Sequence, residues 1–204
     1  MIGSVRLKHT KRPFSKKSNL ISIIIVLLLV LFFPEFFDNN NSNQHIDNEE
    51  IAEISNEFNG HNPDVLPQLT LMPIEVDEVV DGDTIRATLF GEKVNIRYLM
   101  VNTPEVDHDN PNASEPYAEE AKALNQSLLD SADQVYLELD LGPATDNYDR
   151  ILGYVYADDT FVLEEIVASG LGTVRYVNPP NNSYEKQLRN AEDEARAESI
   201  NLWK

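Results

Sequence analysis

From Leu71 onward the chain is written in short apolar runs broken by turn residues. "LMPIEVDEVV" leads through Asp81-Gly82-Asp83 into "TIRATLF", and Gly91-Glu92 turns the chain into "KVNIRYLMV". In that last run Val94, Ile96 and Tyr98 alternate with Asn95, Arg97 and Leu99, the period of a half-buried strand. "QVYLELD" sets Val135, Leu137 and Leu139 against Tyr136, Glu138 and Asp140, and "ILGYVYA" follows after a polar loop, which makes five strands. Helical spacing occurs three times. Tyr117, Ala121, Leu124 and Leu128 fall at steps of four, three and four behind Ser114, a candidate cap. A shorter helix over Val162 to Ser169 ends at Gly170, a good left-handed terminator. Tyr184, Leu188, Ala191 and Ala195 form the stripe of a last helix, announced by Asn182 or Ser183, and Leu202 and Trp203 pack back on the domain.

Five strands, with a helix after the third and further helices behind, predict an α+β domain over residues 71–204: a five-stranded OB-type β-barrel with three α-helices. Residues 38–70 are rich in Asn, Asp and Glu and predict a mostly disordered linker, in which "EEIAEISNEF" can form a short transient helix. Ahead of it lies "LISIIIVLLLVLFF", fourteen apolar or near-apolar residues from Leu20 to Phe33, behind a basic stretch. Its length suits a signal-peptide core, but "FFPEFFDNNN" has no small-residue cleavage site. Residues 1–37 are therefore read as an uncleaved signal anchor, with a cleaved signal peptide as the alternative. The basic side stays in the cytoplasm, so the domain is expected outside the cell, membrane-held or secreted.

Charge and composition narrow the chemistry. No cysteine is present, which removes disulfides, thiolate metal sites and cysteine nucleophiles. Residues 71–204 carry 10 basic against 27 acidic residues, a net of -17. That balance argues against a generic basic nucleic-acid surface.

Three clusters on loops or strand ends carry candidate chemistry: Asp81/Asp83 in "VVDGDT", Arg97 with "VNTPE" behind it, and "TDNYDR" ending at Arg150. Carboxylate and amide oxygens at several distant positions suit a hard cation such as calcium. Two arginines suit a phosphate, because a planar guanidinium donates two hydrogen bonds and stays charged at any working pH. A Glu after Thr-Pro can hold or deprotonate a water. Singly, each signal is weak: Asp-Gly-Asp is more often a turn, an Arg in an alternating strand is more often exposed, and Asp-x-x-x-Arg is commonly a surface pair.

In this order and spacing they resemble the staphylococcal nuclease (thermonuclease) family. The resemblance runs from about Pro73 to Trp203, through "VVDGDTI", "IRYLMVNTPE", "TDNYDRILGYVYAD", "EEIVASGLGTVRYV", "PNNSYEKQLRNAEDEAR" and "NLW". It implies a calcium-dependent nuclease acting on DNA, RNA or both, as a monomer. Asp83 would ligate calcium, Asn102 sits where the family usually has a second carboxylate, and the Thr103 carbonyl would face the ion. Glu105 would orient or deprotonate the attacking water, and Arg97 and Arg150 would bind the scissile phosphate. Tyr148 and Tyr176 stand where the family contacts the phosphate and base of the bound nucleotide. Two departures stand out: the neutral amide of Asn102, and the acidic surface, with Asn147 and Pro179 where lysines would grip the backbone. The first implies weaker calcium affinity and the second weak substrate binding. The alternative is an exported OB-fold module with weakened catalysis that binds calcium, nucleotides or a protein partner.

Overall fold

The computed structural model describes residues 44–45, 48–110 and 113–204. The apolar segment Leu20–Phe33 and its basic flank lie outside the described residues. No helix among the described residues is long and apolar enough to cross a membrane.

Five strands close a barrel: β1 (Thr70–Val79), β2 (Thr84–Leu89), β3 (Glu92–Tyr98), β4 (Val135–Glu138) and β5 (Ile151–Ala157). Around the barrel the order is β1-β2-β3-β5-β4 and back to β1. Every pairing is antiparallel except β3 with β5, which runs parallel with Ile96 opposite Ile151 and Arg97 opposite Leu152. β1 serves two neighbours because its register shifts between Val76 and Glu78. Such a bulge bends a strand, so its first half pairs with β4 and its second with β2. Met72, Ile85, Ala87, Ile96, Leu137 and Val155 fill the interior. The β2–β3 turn is Phe90-Gly91, both at positive φ, as a two-residue hairpin of matching twist requires. The turn is thus one residue earlier than expected, and Glu92 opens β3.

The third predicted run is not one strand. β3 stops at Tyr98, Met100 takes φ 59, and Val101–Asn102 restarts as a separate short strand paired with Thr173–Val174. Arg97 and Leu99, expected on the wet face, are both buried, because later loops cover this face of β3.

Four helices pack outside the barrel: α1 (Asn48–Glu57), α2 (Ala118–Asp130), α3 (Val162–Ala168) and α4 (Glu185–Glu198). Three helices were expected, and the additional one is α1. The segment expected to be a mostly disordered linker to residue 70 contains α1, and Phe58 and Leu66 beyond it are buried in the core. Ile51, Ile54 and Phe58 recur at helical spacing, which gives this polar stretch an apolar edge to bury. Ser114 does not cap α2. Tyr117 precedes the helix at φ 72 without a side-chain cap bond, and Ser114 accepts from the Asp107 N–H instead.

Buried acids fasten the α4 entry to the barrel. Asp140 accepts from the Tyr154 hydroxyl at 2.6 Å, and from the Ser183 N–H and hydroxyl at 2.9 and 2.6 Å. Glu138 accepts from the Tyr184 hydroxyl at 3.1 Å on each oxygen. Burial pushes the Glu138 carboxyl up, the Tyr184 and Tyr156 hydroxyls oppose this, and the Asp140 charge adds to the rise. With the folded pKa raised, this group's stabilisation is complete below the unfolded value and is lost as pH rises through the folded one. Urea midpoints between about pH 4 and pH 8 should therefore show Glu138→Gln gaining on the parent as pH rises. A constant gap between the two would remove Glu138 from the pH dependence of stability.

Candidate active site

The turn between β1 and β2 delivers Asp83, the end of β3 delivers Arg97, and the short strand Val101–Asn102 runs into Thr103. Asp83 is buried, and its oxygens are fully used. Oδ1 pairs with Arg97 Nη1 at 2.8 Å and accepts from the Thr84 hydroxyl at 3.1 Å. Oδ2 accepts from the Thr103 N–H at 2.8 Å and its hydroxyl at 3.2 Å. Asp81 Oδ1 accepts from the Asp83 N–H at 2.9 Å and tightens the turn. Gly82 is required by close approach: a Cβ there would lie 2.7 Å from the Thr103 side chain and 2.8 Å from Ala121 Cβ. Burial pushes the Asp83 carboxyl up, the Arg97 guanidinium pulls it back, and the Asp81 charge adds to the rise.

Arg97 is held mainly through one nitrogen. Besides Asp83, Nη1 donates to the Val101 carbonyl at 2.7 Å, with the Tyr98 carbonyl at 3.3 Å and the Asp83 carbonyl at 3.4 Å. Nη2 reaches Asn102 Oδ1 only at 3.4 Å, and Asn102 Nδ2 reaches the Thr103 carbonyl at the same distance. Such contacts are weak, so Asn102 Oδ1 and the Thr103 carbonyl keep unused acceptor capacity. With the Asp81 and Asp83 carboxylates they make an all-oxygen set of the kind a hard cation takes, and the hydroxyls on Asp83 can rotate away. The residues thus fit a calcium-like ion. Among the described residues no three acidic or histidine side chains gather at one point, so such a site leans on neutral oxygens.

The strand carrying Asn102 is fixed from outside. The Thr173 hydroxyl donates to the Asn102 carbonyl at 3.2 Å, and buried Glu192 of α4 accepts from the Val174 N–H at 3.0 Å.

Glu105 lies two residues beyond Thr103 on an exposed loop. Its backbone is clasped by Glu115, whose carboxylate accepts the Glu105 N–H at 3.0 Å while the Glu115 N–H donates to the Glu105 carbonyl at 3.0 Å. The Glu105 carboxylate makes no hydrogen bond among the described residues. Asp83, Arg97, Asn102 and Thr103 are thus in direct contact, and Glu105 shares their loop without bonding to them.

Arg150 stands just before β5, two residues ahead of Leu152, which pairs with Arg97. Arg150 thus enters the strand that pairs with the one carrying Arg97. Arg150 Nε and Nη2 both bond Asp146 Oδ2, at 2.7 and 2.6 Å. Burial would raise the Asp146 carboxyl, but the Arg150 guanidinium and the N–H groups of Tyr148 and Arg150 hold it below its usual value. The Asp-x-x-x-Arg pair is therefore made, and it orients the arginine. Tyr148 is 80% exposed, with the Arg150 guanidinium 5.4 Å from its ring centre. Tyr176 is 70% exposed and follows Arg175, whose N–H donates to the Met100 carbonyl at 2.9 Å. It thus projects from the segment that carries the partner strand of Asn102.

Sequence reasoning missed Thr84, Asp146 as an orienting group, Glu115, Thr173 and Glu192. Only Asp146 had a readable signal, its spacing of four from Arg150. Thr84 is the direct neighbour of Asp83 in "VVDGDT", whereas Glu115, Thr173 and Glu192 meet their partners ten or more residues away, which no local pattern encodes.

Residues 95–204 match the family described as Staphylococcal nuclease homologue. The chain is 38% identical over 154 residues to Endonuclease YncB of Bacillus subtilis, covering 73% of this chain and 72% of that protein. It is 39% identical over 133 residues to the SPbeta prophage-derived endonuclease YokF of Bacillus subtilis, covering 65% of this chain and 44% of that protein. It is 32% identical over 128 residues to the Thermonuclease of Staphylococcus intermedius, covering 63% of this chain and 74% of that protein.

Proposed function

The chain belongs to the staphylococcal nuclease family and is a nuclease that hydrolyses phosphodiester bonds, and on that premise we propose a calcium-dependent enzyme acting on DNA or RNA outside the cell. The observation that carries this reading is the convergence of Asp83, Arg97, Asn102 and Thr103, an oxygen-rich corner with a guanidinium at its edge. Asp83, Asn102 and the Thr103 carbonyl would hold the ion. Bound there, calcium would orient the attacking water and offset charge on the phosphoryl oxygens.

The chain's own groups do the rest. Glu105 takes a proton from the water as its oxygen bonds to phosphorus and one ester P–O bond breaks. Arg97 and Arg150 hold the phosphate and stabilise the charge that gathers on it. Tyr148 and Tyr176, the large exposed rings of these two loops, flank the bound nucleotide. The apolar segment Leu20–Phe33 anchors the monomeric enzyme to the membrane with its catalytic domain outside.

One observation favours a second reading, in which the domain binds calcium or nucleotides with little turnover: the amide at Asn102 leaves the ion fewer charged ligands. A single assay separates the two. The full chain is incubated with single-stranded DNA and with RNA, in calcium or chelator. Calcium-dependent cleavage supports the nuclease, and cleavage equal in chelator would overturn the calcium mechanism.

Asn102→Asp supplies the missing charge. Its calcium requirement for half-maximal cleavage should fall by about tenfold, the worth of roughly 1.4 kcal/mol. An unchanged requirement would sink the idea that Asn102 weakens the ion site.

A further inference from the structure

The Asp81-Gly82-Asp83 turn is held from beneath by two side chains that stay inside the protein. Asn125 of α2 is 0% exposed and donates from Nδ2 to the Asp81 carbonyl at 3.1 Å. Its Oδ1 faces the Tyr98 hydroxyl at 2.9 Å, and Tyr98 is 2% exposed. The direction of these bonds is fixed. A carbonyl only accepts, so the Asn125 amide nitrogen must face Asp81, and its oxygen must then receive the Tyr98 proton. Tyr98 also donates its backbone N–H to the Asp83 carbonyl at 2.9 Å.

A closed path therefore runs from the Asp81 carbonyl through Asn125 and Tyr98 to the Asp83 carbonyl, and it pins both ends of the turn. Above the turn, the Asp83 carboxylate meets Arg97, Thr84 and Thr103. A leucine and a phenylalanine would fill the same space without burying an amide and a phenol, which cost stability unless bonded. What the polar pair adds is a fixed pitch for the turn. Ala121, one helical turn before Asn125, presses on Gly82 from the same helix.

We propose that Asn125, oriented by the Tyr98 hydroxyl, is a positioning residue that sets calcium affinity by holding the Asp81-Gly82-Asp83 turn, without touching ion or nucleic acid. This rests on the reading of Asp83, Asn102 and Thr103 as the cation site. Groups behind metal ligands typically contribute about 10- to 100-fold to affinity, and one step further back about tenfold is expected.

The test is calcium titration calorimetry on the full chain without nucleic acid, for the parent, Tyr98→Phe, Asn125→Leu, Leu129→Ala and Asp83→Asn. Tyr98→Phe removes one oxygen and keeps the ring, so it remains informative if Asn125→Leu fails to fold. Both should raise the calcium Kd about tenfold, and the calcium needed for half-maximal DNA cleavage should rise by the same factor. Leu129→Ala loosens α2 with no bond to the turn and should leave Kd unchanged. If Tyr98→Phe binds calcium like the parent while Asp83→Asn does not, the positioning role is overturned and the cation site stands. An equal rise in Leu129→Ala also overturns it, as mere loosening of the helix. Equal binding by Asp83→Asn and the parent overturns the cation site, and this inference with it.

Discussion

Arg150→Ala should lower turnover on single-stranded DNA by about 10²- to 10³-fold, the usual loss when one preorganised donor to transition-state charge is removed. Arg150 is the better of the two arginines to test. Its guanidinium is pinned by Asp146 through Nε and Nη2, so it is oriented before substrate arrives. Removing it leaves Asp146 with the N–H groups of Tyr148 and Arg150 still on Oδ1. The side chains of this pair are partly exposed, and the stability loss should be about 1 kcal/mol or less. Arg97→Ala is a harsher change, because Asp83 and Asp81 would remain buried together without their cation. Breaking a buried pair costs about 3–5 kcal/mol, so its activity loss would mix chemistry with unfolding. Measuring kcat, KM and melting temperature for Arg150→Ala settles the role. A loss confined to KM would make Arg150 a substrate grip with no part in stabilising charge. Arg150→Lys keeps the charge and loses the fork, and should recover only part of the rate.

The barrel was legible because its strands alternate and Asp81-Gly82-Asp83 and Gly91 mark its turns, the second of them one residue out. Tertiary packing overrode local pattern at three points. Arg97 alternates like a surface residue, yet the loop through Thr103 folds back and buries it. α1 lies in a stretch whose polarity argues for disorder, but Ile51, Ile54 and Phe58 give it one apolar edge that the core covers. At Ser114 a plausible cap was offered, and the chain instead entered α2 through a left-handed Tyr117.

The geometry that joins Asp83, Arg97, Asn102 and Thr103 was not legible in the sequence. Asp83 and Thr103 are twenty positions apart and meet through a 2.8 Å bond that no spacing predicts. Gly82 hinted at a turn, whereas its cause is crowding between Thr103 and Ala121. The supporting groups were less visible still. Asn125 lies in a helix whose expected apolar stripe runs through Leu124 and Leu128, yet these two are only half-buried and Asn125 is wholly buried beside Ala118 and Ala121. A buried amide announces itself only through its partners, and these sit on β3 and in the β1–β2 turn.

Glu105, whose backbone is clasped by Glu115 on an exposed loop, carries the other large prediction. Glu105→Ala should cost about 10²- to 10⁴-fold in turnover if its carboxylate takes the proton from the attacking water. Its exposure means that little stability is at stake, within about 0.5 kcal/mol, so the effect can be read without correction for unfolding. Glu105→Gln divides the role further. The amide has the size and an oxygen to orient a water, but it cannot accept the proton at neutral pH. Orientation alone would leave Gln near the parent and Ala far below it; proton transfer would drop both together. Proton transfer is the expected role, because an exposed carboxylate can pass the proton on to solvent. Equal kcat for the parent and Glu105→Ala would remove this residue from the chemistry.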